Sequence, residues 1–282
     1  MICLLTFDIE EWFQVENLKR AIKKADWETM QSSVEKNTTI ILDLLAQHQI
    51  PATFFVLGWI AEKNPKIVRT IAGQGHEIGC HGYGHDLADK LSGEQIRTDI
   101  QESRDLLENI TGKKVRGYRA PSFSINDQIL KTLKELDFLY DSSFNPFKLN
   151  TRHGTIYGLG QKIAPGCYLT DSGLYELPLS TLYANKLTIP IGGGAYFRIY
   201  PGWLFRPLVR YKLKREPLYN FYLHPWEFEP GQPRIKNIKL NYKFRHYYGL
   251  KNTEKKFTKL LIFLKKSGCK FMTMEEYVDR IM

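Results

Sequence analysis

Residues 76–86 read H-E-I-G-C-H-G-Y-G-H-D, and two histidines four positions apart, His81 and His85, follow a short apolar run. A neutral imidazole offers one ring nitrogen to a divalent metal, and this spacing lets both histidines reach the same ion. The chain also opens with a strand-like run, residues 4–11, that ends in carboxylates. Two histidines and one carboxylate, with a coordination position left open, form the ligand set of a hydrolytic metal site rather than a structural one.

Apolar runs of strand length alternate with segments of helical period along the chain. The predicted strands are 2–7, 53–57, 77–81, 115–119, 219–224 and 270–273, and the predicted helices are 38–48, 65–75, 93–111, 126–136, 252–266 and 274–282. Such alternation implies parallel strands with helical crossovers. Four polar residues each lie at the C-terminal end of a predicted strand: Asp8, His81, Arg119 and His224. In a β/α barrel those ends converge on the face where active sites are built, so we predict an α/β barrel forming a single domain over residues 1–282.

Residues 142–218 are irregular and rich in Pro, Gly and Tyr, so we expect a loop-rich insertion region over that face. Within it, residues 192–198 read G-G-G-A-Y-F-R, which lacks the G-x-G-x-x-G spacing of a dinucleotide site. This tract is expected to be a flexible loop that lets a polymer approach. Either Arg198 contacts an acidic sugar, or the tract is a plain loop.

The composition is that of an ordinary globular protein, with 43% hydrophobic and 25% charged residues. No stretch approaches the roughly 18 consecutive apolar residues of a membrane span. The N-terminus lacks the basic and apolar regions of a secretory signal. The four cysteines show no C-x-x-C spacing and are expected to be reduced. We therefore expect a cytoplasmic protein.

The net charge of +10 is concentrated near the C-terminus, where residues 201–282 hold 18 Lys and Arg against 7 Asp and Glu. A basic surface of this kind attracts an anionic membrane or a polyanion, although it is also typical of a plain solvated face. No nucleic-acid-binding motif accompanies it, so a role in DNA or RNA binding is not expected. Peripheral contact with the inner face of an anionic membrane is the partner that this part of the chain predicts.

The carboxylates of the first strand can divide two tasks between them. Side chains two positions apart in a strand point to the same side and lie ~6–7 Å apart, so Asp8 and Glu10 can both face the barrel mouth. One carboxylate would bind the metal and the other would act as a base. Glu11 points away from the mouth, unless the strand has already ended, in which case it faces the metal.

Five ordered stretches cover nearly the whole chain: T-F-D-I-E-E (6–11), H-G-Y-G-H (81–85), R-A-P-S-F (119–123), D-S-S-F (141–144) and L-H-P-W (223–226). In this order they resemble the five motifs of NodB-type polysaccharide deacetylases, carbohydrate esterase family 4. Longer stretches are similar to a bacterial subgroup associated with exopolysaccharide and exosortase loci, among them T-F-F-V-L-G-W (53–59), G-G-G-A-Y-F-R (192–198) and Y-L-H-P-W-E-F (222–228). The resemblance implies a metal-dependent N-deacetylase on a distorted β/α barrel of about seven strands.

The resemblance also implies roles for residues of the first two motifs. Asp8 matches the catalytic base. The metal-binding carboxylate usually follows it directly, but Ile9 stands there, so the third ligand is Glu10, with Glu11 as the alternative. His81 and His85 match the two histidine ligands. Family members often carry Ser or Thr after the first histidine to brace the loop, and Gly82 leaves that task to the backbone.

The remaining motifs supply the other expected site residues. Arg119 would hold Asp8 in place in its charged form, and His224 matches the general acid. The backbone N–H of Ser122 is a candidate oxyanion donor. Asp141 matches a supporting position behind the catalytic groups, although Asp-Ser-Ser is also common in turns. The residues expected to line the substrate groove or pocket are Phe123, Phe144, Leu223 and Trp226.

The expected reaction is hydrolysis of the N-acetyl groups of an N-acetylated polysaccharide, oligosaccharide or lipid-linked precursor, with release of acetate. One divalent metal ion, with Zn²⁺ as the default, is the expected cofactor. Two alternatives remain open: a small-molecule amidohydrolase on the same barrel, and a non-catalytic carbohydrate-binding relative. Fold alone does not separate these three.

Overall fold

The computed structural model describes residues 1–87, 90–147, 154–184 and 187–282. The strands are β1 (Ile2–Ile9), β2 (Thr53–Val56), β3 (Glu77–Cys80), β4 (Gly117–Tyr118), β5 (Tyr140–Asp141), β6 (Gln161–Ala164), β7 (Cys167–Leu169), β8 (Tyr175–Glu176), β9 (Thr181–Ala184), β10 (Leu187–Pro190), β11 (Leu218–Leu223) and β12 (Lys270–Met272). The helices are α1 (Val34–His48), α2 (Gly58–Lys63), α3 (Pro65–Gly73), α4 (Gly93–Thr111), α5 (Asp127–Glu135), α6 (Gly194–Ile199), α7 (Gly202–Arg215), α8 (Leu240–Tyr247), α9 (Thr253–Lys266) and α10 (Met274–Ile281).

One curled sheet organises the molecule. Its strand order is β11-β1-β2-β3-β4-β5-β8-β7-β6, and β12 also pairs with β1. Neighbours from β11 to β8 run parallel, whereas β7 and β6 add antiparallel pairs at one edge. The predicted α/β fold and distorted barrel are confirmed in the form of a half-barrel. The path has nine strands rather than about seven because β7 and β6 form a hairpin within residues 142–218.

Strand β1 shows how the sequence separates the two faces of this sheet. Residues Cys3, Leu5, Phe7 and Ile9 belong to the main hydrophobic core. Leu4 belongs to a second core on the other side of the sheet. Because side chains alternate along a strand, Thr6 and Asp8 share the face of Leu4. The hydroxyl of Thr6 donates to the Phe221 carbonyl at 3.0 Å, so the polar positions of this otherwise apolar strand are satisfied.

Residues 142–218 contain more regular structure than the expected loops. The described part of this region holds strands β6 to β10 and helices α6 and α7. The tract at 192–198, expected to be a flexible loop, runs into helix α6. Gly193 has φ of +126°, and a Cβ there would lie 1.9 Å from the Tyr222 carbonyl oxygen, so the chain needs glycine at this crossing. The strands have two to four residues, too short for a clear alternation in sequence.

Glu77, the first residue of β3, is a buried carboxyl group that should make the stability of the protein depend on pH. It accepts hydrogen bonds from the hydroxyls of Thr53 (2.6 Å) and Tyr140 (2.5 Å) and from the Glu275 N–H (3.1 Å). Burial raises its pKa from 4.5 to about 7 against these donors. The folded state therefore holds the proton more tightly than the unfolded chain. Stability from this group is fully present below pH 4.5 and is lost as pH rises through 7.

As Glu77 ionises, we expect the free energy of unfolding of the protein to fall by up to about 3 kcal/mol between pH 4.5 and pH 7. In Glu77→Gln this part of the pH dependence should disappear, because glutamine does not titrate. Urea unfolding at a series of pH values measures it. The exposed Glu102→Gln is the matched control and should leave the profile unchanged. An identical profile for Glu77→Gln and the unaltered protein would refute the assignment.

Candidate metal and catalytic site

A pocket lies at the C-terminal ends of the parallel strands. Four parallel strands of one sheet deliver the polar residues: His224 follows β11, Asp8 lies in β1, His81 follows β3 and Arg119 follows β4. The lining contains predicted residues Asp8, Glu10, His81, His85, Ser122, Phe123, His224 and Trp226, together with Val15, Glu16, Asn17, Ala195, Arg198, Tyr222 and Arg245. The predicted face of the barrel therefore carries a pocket rich in titratable groups, which is typical of an active site.

Three buried side chains converge in this pocket as a potential metal site. Ligand atoms of Glu10, His81 and His85 all lie within 4.8 Å of one another. The Nε2 atom of His85 is 2.6 Å from Oε2 of Glu10, yet Oε2 has no hydrogen-bond partner among the described residues. Buried carboxylate oxygens rarely stay unsatisfied, and a shared cation would satisfy this one. Two imidazole nitrogens and one carboxylate oxygen suit Zn²⁺ and similar divalent ions.

The protonation states also fit metal ligands. Nδ1 of His81 lies 2.7 Å from the Arg119 carbonyl oxygen, so Nδ1–H donates there and Nε2 is left with a free lone pair. Burial lowers the pKa of His81 to about 4. Glu10 is held as a carboxylate: although burial opposes ionisation, His85 and His224 lower its pKa to about 2.

Glu11 has a different task from Glu10. Its carboxylate accepts hydrogen bonds from the backbone N–H groups of Ser33 and Val34, each at 3.0 Å, and from the Ser32 hydroxyl. These contacts place a negative charge at the N-terminus of α1, where it satisfies free N–H groups and complements the helix dipole. The geometry thus favours Glu10 over Glu11 as the third ligand.

Asp8 faces the pocket with one oxygen and the protein interior with the other. Nη1 of Arg119 donates to Oδ1 of Asp8 at 2.8 Å and to the Thr6 hydroxyl at 2.7 Å. Arg119 is fully buried, and its other donors reach the carbonyl and hydroxyl of Ser142 at 2.8 and 2.9 Å. Oδ2 of Asp8 lies 3.8 Å from Nε2 of His224. Arg119 thus fixes the orientation of Asp8 and leaves Oδ2 to the pocket.

His224 is oriented by a carboxylate that sequence reasoning did not assign. Nδ1 of His224 lies 2.8 Å from Oε1 of Glu227, and Oε2 of Glu227 accepts a hydrogen bond from Nε of Arg198 at 2.5 Å. Nε2 of His224 consequently points into the pocket, 3.4 Å from Glu10. Burial works against protonation, but Glu10, Glu227 and Asp8 together raise the pKa of His224 to about 9. The geometry favours a protonated imidazole that can donate through Nε2.

The loop that carries His81 and His85 is braced from helix α4. Oδ2 and Oδ1 of Asp99 accept the N–H groups of Tyr83 (2.9 Å) and Gly84 (3.1 Å), and the Ser103 hydroxyl donates to the Gly82 carbonyl at 2.9 Å. Gly82 has φ of +71°, and a Cβ there would lie 2.6 Å from Asp99. A serine or threonine at position 82 would be strained at this φ and would crowd Asp99. The prediction that the backbone alone orders this loop was wrong, because the side chains of Asp99 and Ser103 brace it.

Ser122 and Phe123 form a strained turn beside the cluster. Both have left-handed backbone conformations, with φ of 53° and 61°. For non-glycine residues such conformations cost roughly 1–3 kcal/mol each and persist where the surroundings impose them. The N–H of Ser122 has no hydrogen-bond partner within the described ranges of the chain. It is therefore available to a ligand in the pocket.

Comparison with protein families divides the chain almost at its midpoint. Residues 4–140 match the family model of polysaccharide deacetylases, and residues 142–279 match a model described as a domain of unknown function, DUF3473. The similarity to polysaccharide deacetylases is thus carried by residues 4–140, just under half of the chain. The pocket draws on both segments, since Asp8, Glu10 and the two cluster histidines come from the first and His224 from the second.

Curated relatives match over about a third to a half of the chain. A peptidoglycan-N-acetylglucosamine deacetylase of Bacillus cereus is 39% identical over 102 residues, which are 36% of this chain and 37% of that protein. The peptidoglycan-N-acetylmuramic acid deacetylase PdaA of Bacillus subtilis is 30% identical over 131 residues, 45% of this chain and 49% of that protein. The matches thus span less than half the length of these two relatives.

Solved structures extend the likeness to the fold of the whole chain. A Mycobacterium smegmatis protein assigned to the polysaccharide deacetylases superposes with a TM-score of 0.64 at 20% identity, covering 99% of this chain and 90% of that one. A CE4 family pseudoenzyme from Bacillus anthracis superposes with a TM-score of 0.55 at 17% identity, covering 98% and 65%. At these identities the likeness shows the fold alone.

Four predicted site residues lie outside the pocket lining: Arg119, which holds Asp8 from behind, and Leu223, Phe144 and Asp141. Leu223 is buried in the main hydrophobic core because it alternates with Tyr222, which takes the pocket-facing position. Phe144 packs against that same core. Asp141 is fully buried and accepts the hydroxyl of Ser143 at 2.6 Å, and Ser143 accepts the N–H of Ala120 at 2.7 Å. Asp141 therefore supports the Arg119 loop from behind and does not reach the pocket.

Two further predictions change in detail. Trp226, expected to bind substrate, lines the pocket and also donates from Nε1 to Oε1 of Glu10 at 3.0 Å, so it positions the cluster carboxylate. Arg198, considered as a contact for an acidic sugar, is buried, and its side chain is held by Glu227.

Glu176, which pairs with Asp141 across β5 and β8, was not identified from the sequence. Burial and the neighbouring Asp141 raise the pKa of Glu176 well above its ordinary value.

We expect Arg198→Met to lower the unfolding free energy by about 3–5 kcal/mol, because it removes the arginine partner of the buried Glu227 carboxylate and leaves the charge of Glu227 to the His224 imidazolium. The side chains of Arg198 and Glu227 are 1% and 0% exposed, so water cannot replace the lost partner. Urea unfolding measures the change. Arg234→Met, at an exposed arginine, should stay within about 0.5 kcal/mol of the unaltered protein. Similar stabilities for the two variants would contradict this view of the pair.

Proposed function

We propose that this protein is a metal-dependent hydrolase that removes N-acetyl groups from the amino sugars of a polysaccharide or of its precursor, releasing acetate. The observation that carries the proposal is one pocket in which the Glu10, His81 and His85 cluster lies together with Asp8 and His224. The named activities of the curated relatives, which are deacetylases of N-acetylated saccharides, agree with this chemistry.

Glu10, His81 and His85 would hold one divalent metal ion, with Zn²⁺ as the ion that the donor set favours. A metal at this position supplies Lewis acidity, which polarises an acyl oxygen and lowers the pKa of water. Trp226 and the Arg119 carbonyl hold two of the ligands in place through hydrogen bonds to Glu10 and His81.

The protein groups around this cluster supply the proton transfers. Oδ2 of Asp8 accepts the proton of the attacking water, while Arg119 keeps the carboxylate oriented. The free N–H of Ser122 donates to the developing oxyanion. His224 donates from Nε2 to the departing sugar amine, and Glu227 and Arg198 hold the imidazole for this step. Each group acts at an atom that faces the pocket.

Two other functions stay as alternatives. A small-molecule amidohydrolase would use the same constellation on a different amide. A carbohydrate-binding relative without catalysis would keep the fold, as the similar pseudoenzyme from Bacillus anthracis does. The presence of Asp8, His224 and all three potential ligands in one pocket favours catalysis over binding alone.

Acetate release from a panel of N-acetylated oligosaccharides and small amides, with and without a chelator, tests the proposal. Chelator-sensitive release from the oligosaccharides is the expected result. Release from small amides alone would favour the amidohydrolase. No release from any compound by Zn²⁺-loaded protein would refute the proposed activity.

The remaining proposals concern substrate, architecture and location. We infer an exopolysaccharide as the polymer from the motif similarities, and a single domain over residues 1–282 because strands from both family segments share one sheet. All four cysteines are free, which favours a reducing compartment such as the cytoplasm. No helix among the described residues is long and apolar enough to cross a membrane.

Contact with an anionic membrane would use helices α7 and α9. Trp203 is 73% exposed beside the exposed cations Arg206, Lys255 and Lys259, and an aromatic ring among cations suits a lipid headgroup surface. Sedimentation with phosphatidylglycerol vesicles, but not with phosphatidylcholine vesicles, is expected. Equal recovery with both vesicle types would refute this location.

A further inference from the structure

Two arginines line the active-site pocket, and their surroundings differ. Arg198 is buried and bound to Glu227, so its charge is neutralised inside the protein. Arg245, in helix α8, is only partly buried. No carboxylate among the described residues lies within 4.0 Å of the Arg245 guanidinium. Arg245 is therefore a cation that faces the pocket without a protein counter-ion.

The position of Arg245 is fixed by its neighbours. Its guanidinium carbon lies 5.6 Å from the centre of the Tyr196 ring, and Tyr196 packs edge-on against Phe147 at 5.2 Å. The backbone carbonyl of Arg245 accepts a hydrogen bond from Nη2 of Arg198 at 2.7 Å, which ties helix α8 to the pocket wall. Packing against an aromatic ring holds a guanidinium while leaving its N–H groups free to donate.

The other charges of the pocket already have partners. Asp8 is paired with Arg119 at 2.8 Å, and Glu10 belongs to the histidine cluster. Glu16 lies 3.5 Å from the ammonium of Lys19. Arg245 is thus the cation left to interact with a ligand, and its planar fork of N–H donors matches a carboxylate. The solvated lysines of helices α7 and α9 do not share this placement in the pocket.

We propose that Arg245 binds a carboxylate on the saccharide, so that the substrate is an acidic N-acetylated saccharide. This inference rests on the proposed deacetylase function and narrows its substrate class. The carboxylate can belong to a uronic acid next to the amino sugar or to a lactyl ether on an amino sugar. Both sources offer the same planar anion to the guanidinium.

Binding by Zn²⁺-loaded protein tests the inference with matched saccharide pairs. The first pair is a hyaluronan tetrasaccharide and its carboxyl-reduced form. The second is a tetrasaccharide of N-acetylglucosamine and N-acetylmuramic acid and its carboxyl-reduced form. Calorimetry should show that at least one acidic saccharide binds about tenfold or more tightly than its reduced partner. The pair that shows the preference identifies the source of the carboxylate.

Arg245→Gln should abolish this preference, and Arg245→Lys, which keeps the charge but loses the fork, should retain part of it. Arg234→Gln is the control. It removes an arginine that lies outside the pocket lining and packs on Tyr247 of helix α8, and it should leave the preference unchanged. Equal binding of acidic and reduced saccharides, or a preference that survives in Arg245→Gln, would overturn the inference. Acetate release by the unaltered protein tests the deacetylase function separately. Release without tighter binding of the acidic saccharides refutes only the carboxylate subsite. Tighter binding of the acidic saccharides without release refutes only the proposed reaction.

Discussion

Asp8→Asn should lower acetate release by about 10²–10⁴-fold, the range for loss of a general base, while the metal stays bound. Asparagine keeps the shape of aspartate and can still accept the Arg119 hydrogen bond through its amide oxygen. It cannot accept a proton from water, because an amide group takes the place of the carboxylate oxygen Oδ2 that faces the pocket. The ligand cluster of Glu10, His81 and His85 remains intact in this variant.

Acetate release from a chitooligosaccharide and the metal content of the same sample measure both halves of this prediction. Asp105→Asn, at an exposed carboxylate on helix α4, is the matched control and should keep full turnover. Turnover in Asp8→Asn near that of the control would remove Asp8 from the role of base. Loss of metal together with turnover would instead place Asp8 among the ligands.

The second large effect is expected for His81→Ala. The variant removes one of two imidazole ligands, and loss of a group that only supports a ligand already weakens metal affinity about 10–100-fold. We therefore expect a larger loss for the ligand itself, with metal content falling from one ion per chain to near zero after dialysis against a weak chelator. Acetate release should fall with it.

His76→Ala is the control for this variant. His76 lies just before strand β3, at the opposite end from the cluster, and is partly buried. The control should retain its metal, and circular dichroism should show both variants folded. A folded His81→Ala protein with an unchanged metal content would rule out the ligand assignment.

The local sequence was sufficient to predict that Asp8, His81 and His224 lie together, because the C-terminal ends of parallel strands meet at one edge of a sheet. Asp8 and His81 come from β1 and from the end of β3, two strands apart in one sheet, and both runs have the length and spacing of strands. The choice between Glu10 and Glu11 was left open by the sequence, since it depends on where β1 ends. Helix α1 favours Glu10, because its free N–H groups bind the Glu11 carboxylate.

The residues that sequence reasoning missed or misplaced depend on contacts between distant segments. Tyr222 lines the pocket in place of the predicted Leu223, because a shift of one residue along a strand moves a side chain to the other face of the sheet. Glu227 lies in a short turn after His224, and its importance comes from Arg198, 29 positions earlier in helix α6. Nothing in the local pattern around Arg245 indicates that helix α8 reaches the pocket.

The proposed hydrolysis requires a single metal ion held by Glu10, His81 and His85. The most direct measurement is titration of chelator-stripped protein with Zn²⁺, following acetate release from an N-acetylated oligosaccharide that the untreated protein hydrolyses. Activity is expected to return and to reach its maximum at one ion per chain. Full activity of the stripped, metal-free protein, with no response to added Zn²⁺, would contradict it.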